Sequence, residues 1–402
     1  MKKTRALSCL SMLVFLFGNL VLAGYGSAQT AKPEELKVGM ISVLTGPGSY
    51  WGLAFLRGAE LAFGDINKAG GVMVGGKRYT FKFWAEDDKY KPEEAVLVAN
   101  KLIFTDKVKF IFGPLSSASC LAVGTVCEKN KVFNIADSYT PELTMPGKNL
   151  YTVRTQGFIP KLQSGAMVSK FKELYPNLKT IAPIYPDDAT GQSANAVAKS
   201  YLVSAGYQIV EEVPYPRGTK EQRPIVTKAL AKKPDSVWLM STPPEDMCIQ
   251  VKEARLMDFK GPIWSTGDVD PKFLLEIAGV TASEGVVSAY FDPIGAGAPP
   301  ELVEYGNRVL KAYPGAWQPS YEVFYTAAHM LKRAMEIANS IDPTAVRDVF
   351  LKGDIEWHTI FGPGFMKGRD LLRPQLFAIF KSGKPLNISA YPPGYPEAKK
   401  KK

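Results

Sequence analysis

The sequence predicts an α/β fold of two doubly wound parallel-sheet lobes. Two observations carry that expectation: apolar strand-like runs alternate with helical periodicity twice along the chain, and its 402 residues exceed what one hydrophobic core usually organises. Each short apolar run followed by an amphipathic stretch reads as a βα unit, and a series of such units implies a parallel sheet covered on both faces.

The first unit is the clearest. Val38 to Leu44 is a hydrophobic run that breaks at Thr45, Gly46, Pro47 and Gly48. Leu53, Leu56, Ala59, Phe63 and Ile66 then recur at helical spacing, and the helix stops where Gly70 and Gly71 can take the positive φ of a C-terminal cap. In an open α/β sheet the turn after such a strand faces the ligand crevice, so function is expected near Ser49, Tyr50 and Trp51. Tyr79 to Trp84 follows as a strand, Pro92 to Phe104 as a helix opened by proline, Lys109 to Phe112 as a strand, Ser117 to Glu128 as a helix and Val132 to Ile135 as a strand.

A second series repeats the rhythm. Strands are expected over Thr180 to Tyr185, Tyr207 to Val213, Ser236 to Met240 and Gly261 to Ser265, with helices over Ser193 to Ser204, Pro224 to Ala231 and Pro244 to Met257. Downstream come a strand at Gly285 to Phe291, helices over Pro299 to Tyr313, Ser320 to Asn339 and Pro343 to Leu351, and a late strand at Gln375 to Phe380. Residues 391–402 read as a disordered basic tail.

The N-terminus carries a targeting pattern. Lys2, Lys3 and Arg5 form a basic start, Leu7 to Leu22 is apolar, and Gly26, Ser27 and Ala28 offer small residues for cleavage, so residues 1–28 read as a cleaved signal peptide. Ser8, Ser11, Gly18 and Asn19 interrupt the apolar stretch, which falls short of the roughly 20 clean residues of a membrane span. The mature chain is therefore expected to be periplasmic, with no direct membrane insertion. The net charge of +10 includes three cations in that leader and four in Lys399 to Lys402; the body between them carries only three. Nucleic-acid binding is not indicated.

Chemistry-bearing motifs are sparse. Cys9 falls in the leader, leaving Cys120, Cys127 and Cys248, an odd number with no metal-ligand spacing. Seven residues on one helix separate Cys120 from Cys127 by about 10 Å of rise, beyond the reach of a disulfide, so buried free thiols are expected. His329 and His358 are the only histidines, and neither a nucleophile elbow around Ser193 nor a phosphate-binding loop occurs. Asp187 and Asp188 are adjacent and point apart. No enzyme, metal or cofactor is implied.

Several motifs come in a particular order: V-G-M-I-S-V-L-T-G-P from Val38, D-I-N-K-A-G-G-V from Asp65, F-W-A-E-D-D from Phe83, F-I-F-G-P-L-S-S from Phe110, R-T at Arg154 and D-D-A-T-G-Q-S from Asp187. Together they resemble the periplasmic solute-binding proteins of ABC importers, in the leucine/isoleucine/valine-binding group, over roughly Leu36 to Asn387. The resemblance implies a type I periplasmic binding fold, two lobes joined by a three-segment hinge that close on a small ligand and deliver it to a membrane permease, working as a monomer. It divides the chain into residues 36–156 plus 287–360 for lobe one and 157–286 plus 361–390 for lobe two. A sensory module shares this fold, but no output domain follows Gly383 in the sequence.

The site can be read from the residues as well. Ser116 and Ser117 stand where a helix begins after Gly113 and Pro114, an end that favours a carboxylate through free amides and the helix dipole, although serine there also caps. By the resemblance, the segment Asp137, Ser138 and Tyr139 supplies a backbone acceptor and a small polar side chain to an amino acid's head, with Tyr139 where threonine or serine is usual; it is otherwise a loop tyrosine pointing away. Trp51 matches the aromatic that covers the ligand, with ordinary lobe packing as the alternative. Lobe two contributes Thr190 and Thr242. The acid expected to meet an ammonium falls at Gly267, with Asp268 beside it; Asp268 or Asp137 could substitute, or Asp268 could cap the helix before Pro271. Tyr139, Thr190, Thr242 and Gly267 leave the ligand class open among neutral amino acids, aromatic or aliphatic acids, amides and urea.

Overall fold

The computed structural model describes residues 32–46, 48–155, 160–315 and 317–396. The leader at 1–28 with Cys9, together with Pro47 and the lysines at 399–402, lies outside them. Among the described residues the strands form three sheets. The first runs β2 (Val72–Val74), β3 (Lys77–Asp87), β1 (Glu34–Ser42), β4 (Phe110–Phe112), β5 (Phe133–Ile135), β6 (Thr152–Val153), all parallel except β2. One face packs against α1 (Ser49–Lys68), burying Phe55, Ala59 and Phe63; the other carries α2 (Pro92–Asn100), burying Ala95 and Ala99. Helix α3 (Ser117–Asn130) covers the same second face through Val123 and Cys127.

The chain then leaves for the second sheet. Helix α4 (Pro160–Leu174) leads into β7 (Thr180–Pro186), α5 (Ala189–Ser204), β8 (Gln208–Ile209), β9 (Val213–Tyr215) and α6 (Arg223–Leu230). Next come β10 (Ser236–Leu239), α7 (Pro244–Leu256), β11 (Ile263–Ser265), α8 (Pro271–Ile277), α9 (Val280–Ser283) and β12 (Val287–Ser288). Strands β7 to β12 are parallel, and cores lie on both sides of them: one around Val251, Val226 and Leu274, the other around Phe171, Trp238 and Trp264. Two doubly wound lobes are thus present, each with a covered sheet.

Helices α10 (Pro300–Ala312), α11 (Tyr321–Ala338) and α12 (Pro343–Phe350) return to the first lobe. Helix α11 lies directly on α1: a Cβ at Gly58 would meet the Tyr321 carbonyl oxygen at 1.9 Å, so only glycine permits this approach. A small antiparallel sheet follows, of β13 (Glu356–Thr359), β14 (Gly362–Lys367) and β15 (Asp370–Leu372). The chain ends in β16 (Gln375–Lys381) and β17 (Lys384–Ala390), an antiparallel edge on the second sheet.

Three expectations need correction. Val287 does not open the returning part of lobe one; it pairs with Trp264 and Ile379 in the second sheet, and the return begins with Tyr290 and Phe291, whose rings are buried in the first core. Residues 361–372 do not belong to lobe two, because Phe361, Met366 and Leu371 pack into the first core. Nor is the start of the tail loose: Tyr395 is buried against Leu162 and Leu372, and its hydroxyl donates to the Pro363 carbonyl at 2.9 Å. Cys120, Cys127 and Cys248 are all buried and unbridged.

Candidate functional site

Strand ends from both lobes converge on one cavity. In lobe one, Asp87 pins the turn after β1: its carboxylate accepts from the Leu44 amide at 2.9 Å and from the Thr45 hydroxyl at 2.5 Å. Gly48, at φ 98°, then opens α1 and turns Trp51 and Phe55 inward. On the neighbouring strand exit, Lys89 and Tyr90 both hold positive φ, and the Tyr90 amide donates to Asp88 at 3.0 Å, which sets the Tyr90 ring in the cavity wall. At the end of β5, the Asp137 amide donates to the Pro114 carbonyl at 3.2 Å. Arg154 holds this segment from behind, donating to the carbonyls of Ser138 (2.9 Å) and Thr140 (3.0 Å) while pairing with Asp370. Asp137 and Tyr139 consequently face the cavity.

Lobe two supplies Thr190, Ser241, Thr266, Gly267 and Asp268. Thr190 is the second residue of α5, whose start is capped by Asp188 accepting from the Gly191 amide at 2.8 Å. Asp268 does not cap α8; Asp270 does, accepting from the Lys272 amide at 2.8 Å. That leaves Asp268 free to reach lobe one, where the Trp51 indole donates to its Oδ1 at 2.6 Å. Further contacts cross the cleft: the Ser117 amide donates to the Thr190 hydroxyl oxygen at 3.2 Å, and the Arg217 guanidinium, paired with Asp188, lies 5.6 Å over the Tyr90 ring. The lobes are closed on each other. With the cleft shut, the cavity between them keeps a free volume of about 50 Å³.

The residues singled out from sequence therefore separate. Trp51, Asp137, Tyr139, Thr190 and Asp268 wall the cavity. Ser116 is the cap of α3, its hydroxyl accepting from the Ser119 amide at 3.1 Å, and it does not line the wall. Ser117 and Ser138 are buried just behind, 3.4 Å apart through their hydroxyls; the Ser117 group that points across the cleft is its amide, not its side chain. Thr242 is fully buried, and its neighbour Ser241 takes the wall position instead. Phe55, Tyr90, Leu115, Ser241, Thr266 and Ser320 were missed. Of these only Tyr90 carries a sequence signal, an aromatic two residues past the A-E-D-D strand exit.

Electrostatically the cavity is unusual for its two acids. Asp137 and Asp268 are each only 4% exposed. Burial pushes Asp137 up to about 8, with Arg154 opposing and Glu322 and Asp268 adding to the rise. Burial likewise pushes Asp268 up to about 6 against the stabilising Trp51 bond. Asp137 Oδ1 and Asp268 Oδ2 have no hydrogen-bond partner among the described residues. Burial also raises the Tyr139 phenol, so it stays protonated at neutral pH.

A pH dependence follows. A carboxylate whose folded pKa is raised keeps its proton where the exposed form has lost it, so the ligand-free closed state loses stability as pH rises through about 6 and about 8. In calorimetry at pH 5 to 8, the ligand-free protein is expected to lose more melting temperature than an Asp137→Asn variant. Parallel curves for the two would show that Asp137 does not titrate there.

Comparison with known proteins agrees with this architecture. A family model described as periplasmic binding protein matches residues 35–380. A leucine-, isoleucine-, valine-, threonine- and alanine-binding protein of Pseudomonas aeruginosa is 27% identical over 356 residues, covering 86% of this chain and 89% of its own. The Leu/Ile/Val-binding protein of Escherichia coli is 27% identical over 369 residues, covering 90% and 96%. In fold, a leucine-binding protein of Thermotoga maritima superposes with a TM-score of 0.75 at 22% identity, covering 89% of this chain and 99% of that one. A solute-binding protein of an ABC transporter from Rhodopseudomonas palustris, in complex with 3,4-dihydroxybenzoic acid, gives 0.73 at 22%, covering 90% and 99%. Since the family match spans nearly all of the described chain and both doubly wound lobes are present, this chain belongs to the periplasmic binding protein family.

Proposed function

We propose that the chain is the extracytoplasmic substrate-binding component of an ABC importer, acting by binding and not by catalysis. It captures a small carboxylate, an amino acid by preference, between its lobes and presents the closed form to a membrane permease. The observation that carries this reading is Asp268: a lobe-two carboxylate in the cavity wall, bonded to Trp51 of lobe one, with its second oxygen buried and without a partner among the described residues. An ammonium group bound there would touch both lobes at once, so its binding energy favours closure over the open state. The Ser117 amide, at the positive end of α3, would exchange Thr190 for the ligand's carboxylate, and Trp51 and Phe55 would wall its apolar body.

The relatives named for leucine, isoleucine and valine support an amino acid. The aromatic lining of Trp51, Phe55, Tyr90 and Tyr139 supports a second reading, an aromatic acid, as in the neighbour holding 3,4-dihydroxybenzoic acid. Asp268, raised only to about 6 and so largely ionised at neutral pH, weighs against an anion lacking any ammonium, since like charges in a dry site repel. A thermal-shift screen of purified protein decides: a ligand at 100 times its dissociation constant stabilises by about 2.7 kcal/mol. An amino acid that raises the melting point supports the first reading; a response to benzoates alone replaces it with the second. Export is proposed from residues 1–28, and the mass of protein recovered from the cell envelope should place its N-terminus near Gln29; an intact Met1 on membrane-embedded protein would refute cleavage. No helix among the described residues is long and apolar enough to cross a membrane.

A further inference from the structure

The cavity holds one carboxylate more than a single ammonium needs. Asp268 comes from lobe two and Asp137 from lobe one; both are buried, both line the same space, and each has an oxygen without a partner among the described residues. None of the described residues lining that cavity is a cation. The nearby arginines each pair with another acid, although Arg217 keeps one buried nitrogen without a partner among the described residues. Arg154 pairs with Asp370 and donates to the Ser138 and Thr140 carbonyls, Arg373 pairs with Glu322, and Arg217 pairs with Asp188. Neither aspartate therefore has an ion-pair partner among the described residues, and a buried carboxylate in that condition is strongly disfavoured unless a counter-charge is supplied.

We propose that the ligand is an amino acid with a second positively charged nitrogen, its α-ammonium seated on Asp268 and its side-chain nitrogen on Asp137. This rests on the amino-acid reading above and narrows it to the diamino monocarboxylic acids. A neutral amino acid satisfies one carboxylate and leaves the other buried and unpaired. A diamino acid meets both, one in each lobe, so that each charge pair is completed only when the lobes are closed. Burial has already raised both aspartates, and a cation beside each restores its charged form.

The test is titration calorimetry of purified protein with L-leucine, L-ornithine, L-2,4-diaminobutyrate and benzoate, repeated on Asp137→Asn. In the unaltered protein at least one of the two diamino acids should bind at least tenfold more tightly than leucine, and in Asp137→Asn that ratio should fall towards one. If leucine binds as tightly as, or more tightly than, both diamino acids, the inference is overturned while the amino-acid reading stands. If benzoate binds and none of the amino acids does, the amino-acid reading falls and takes the inference with it. The comparison within the unaltered protein decides the matter even if the variant fails to fold; a preference that survives intact in a folded Asp137→Asn protein removes Asp137 as its cause.

Discussion

Asp268→Ala is expected to weaken ligand binding by about 2–5 kcal/mol, roughly 30-fold to several thousand-fold, the largest effect of any single change in the cavity. Two losses coincide. The variant removes the carboxylate proposed to hold the ligand's ammonium, and it deletes the acceptor of the Trp51 indole, a bond of 2.6 Å that spans the cleft. Asp268→Asn separates them. An asparagine keeps an oxygen for the indole and loses the charge, so it should retain closure, seen by small-angle scattering, while binding remains weak by calorimetry. If Asp268→Asn binds as tightly as the unaltered protein, the residue is a latch between lobes and not an ammonium seat. Folding should survive both changes, because Asp268 lies in the cavity wall and belongs to none of the three main hydrophobic cores.

The contrast between Asp268 and Thr242 shows where sequence reading reached its resolution. Both follow strands of the second sheet, β11 and β10, and consecutive residues leaving a strand point to opposite faces. After β10 a register error of one residue therefore exchanges a wall residue for a buried one, whereas after β11 Thr266, Gly267 and Asp268 all reach the wall and the error only misplaces the acid. Ser241, at φ 54°, and not Thr242, meets the cavity, and Asp268, and not Gly267, brings the acid. The βα rhythm itself was legible because each strand is apolar and each helix amphipathic; Phe110 to Phe112 and Trp238 are strand residues buried on both sides of their sheets.

What escaped were segments whose apolar residues serve packing across lobes instead of a local period. Gly285 to Phe291 reads as one strand, yet only Val287 and Ser288 pair, since the chain is already crossing to bury Tyr290 and Phe291 in the first core. The small sheet of β13 to β15 was likewise invisible. Its Trp357, Met366 and Leu371 fill the first core from short, glycine-punctuated strands that match neither template cleanly. Tyr395 reads as tail because its partners, Leu162 and Leu372, are far away in sequence.

One crossing carries a buried ion pair, and breaking it gives the second large effect. Arg373 stands two residues before β16, is 2% exposed, and donates to Glu322 of α11, which is fully buried. Its guanidinium also lies 4.0 Å over the Phe361 ring. Burial pushes the two groups in the direction of neutrality, Glu322 upward and Arg373 downward, and each is the other's main counterweight. Arg373→Leu leaves Glu322 without that counterweight and is expected to cost about 3–5 kcal/mol of stability, measured by urea unfolding. Glu322→Leu alone should cost a similar amount. The double variant should recover most of the loss, because replacing both charges with apolar groups removes the desolvation penalty together with the attraction. If the two single losses simply add, the pair is not coupled and each residue acts through separate packing. Glu322 also raises Asp137. The double variant, which lacks the Glu322 charge, should therefore let Asp137 ionise at lower pH and strengthen the proposed cation seat, read by titration calorimetry as tighter binding of a diamino acid.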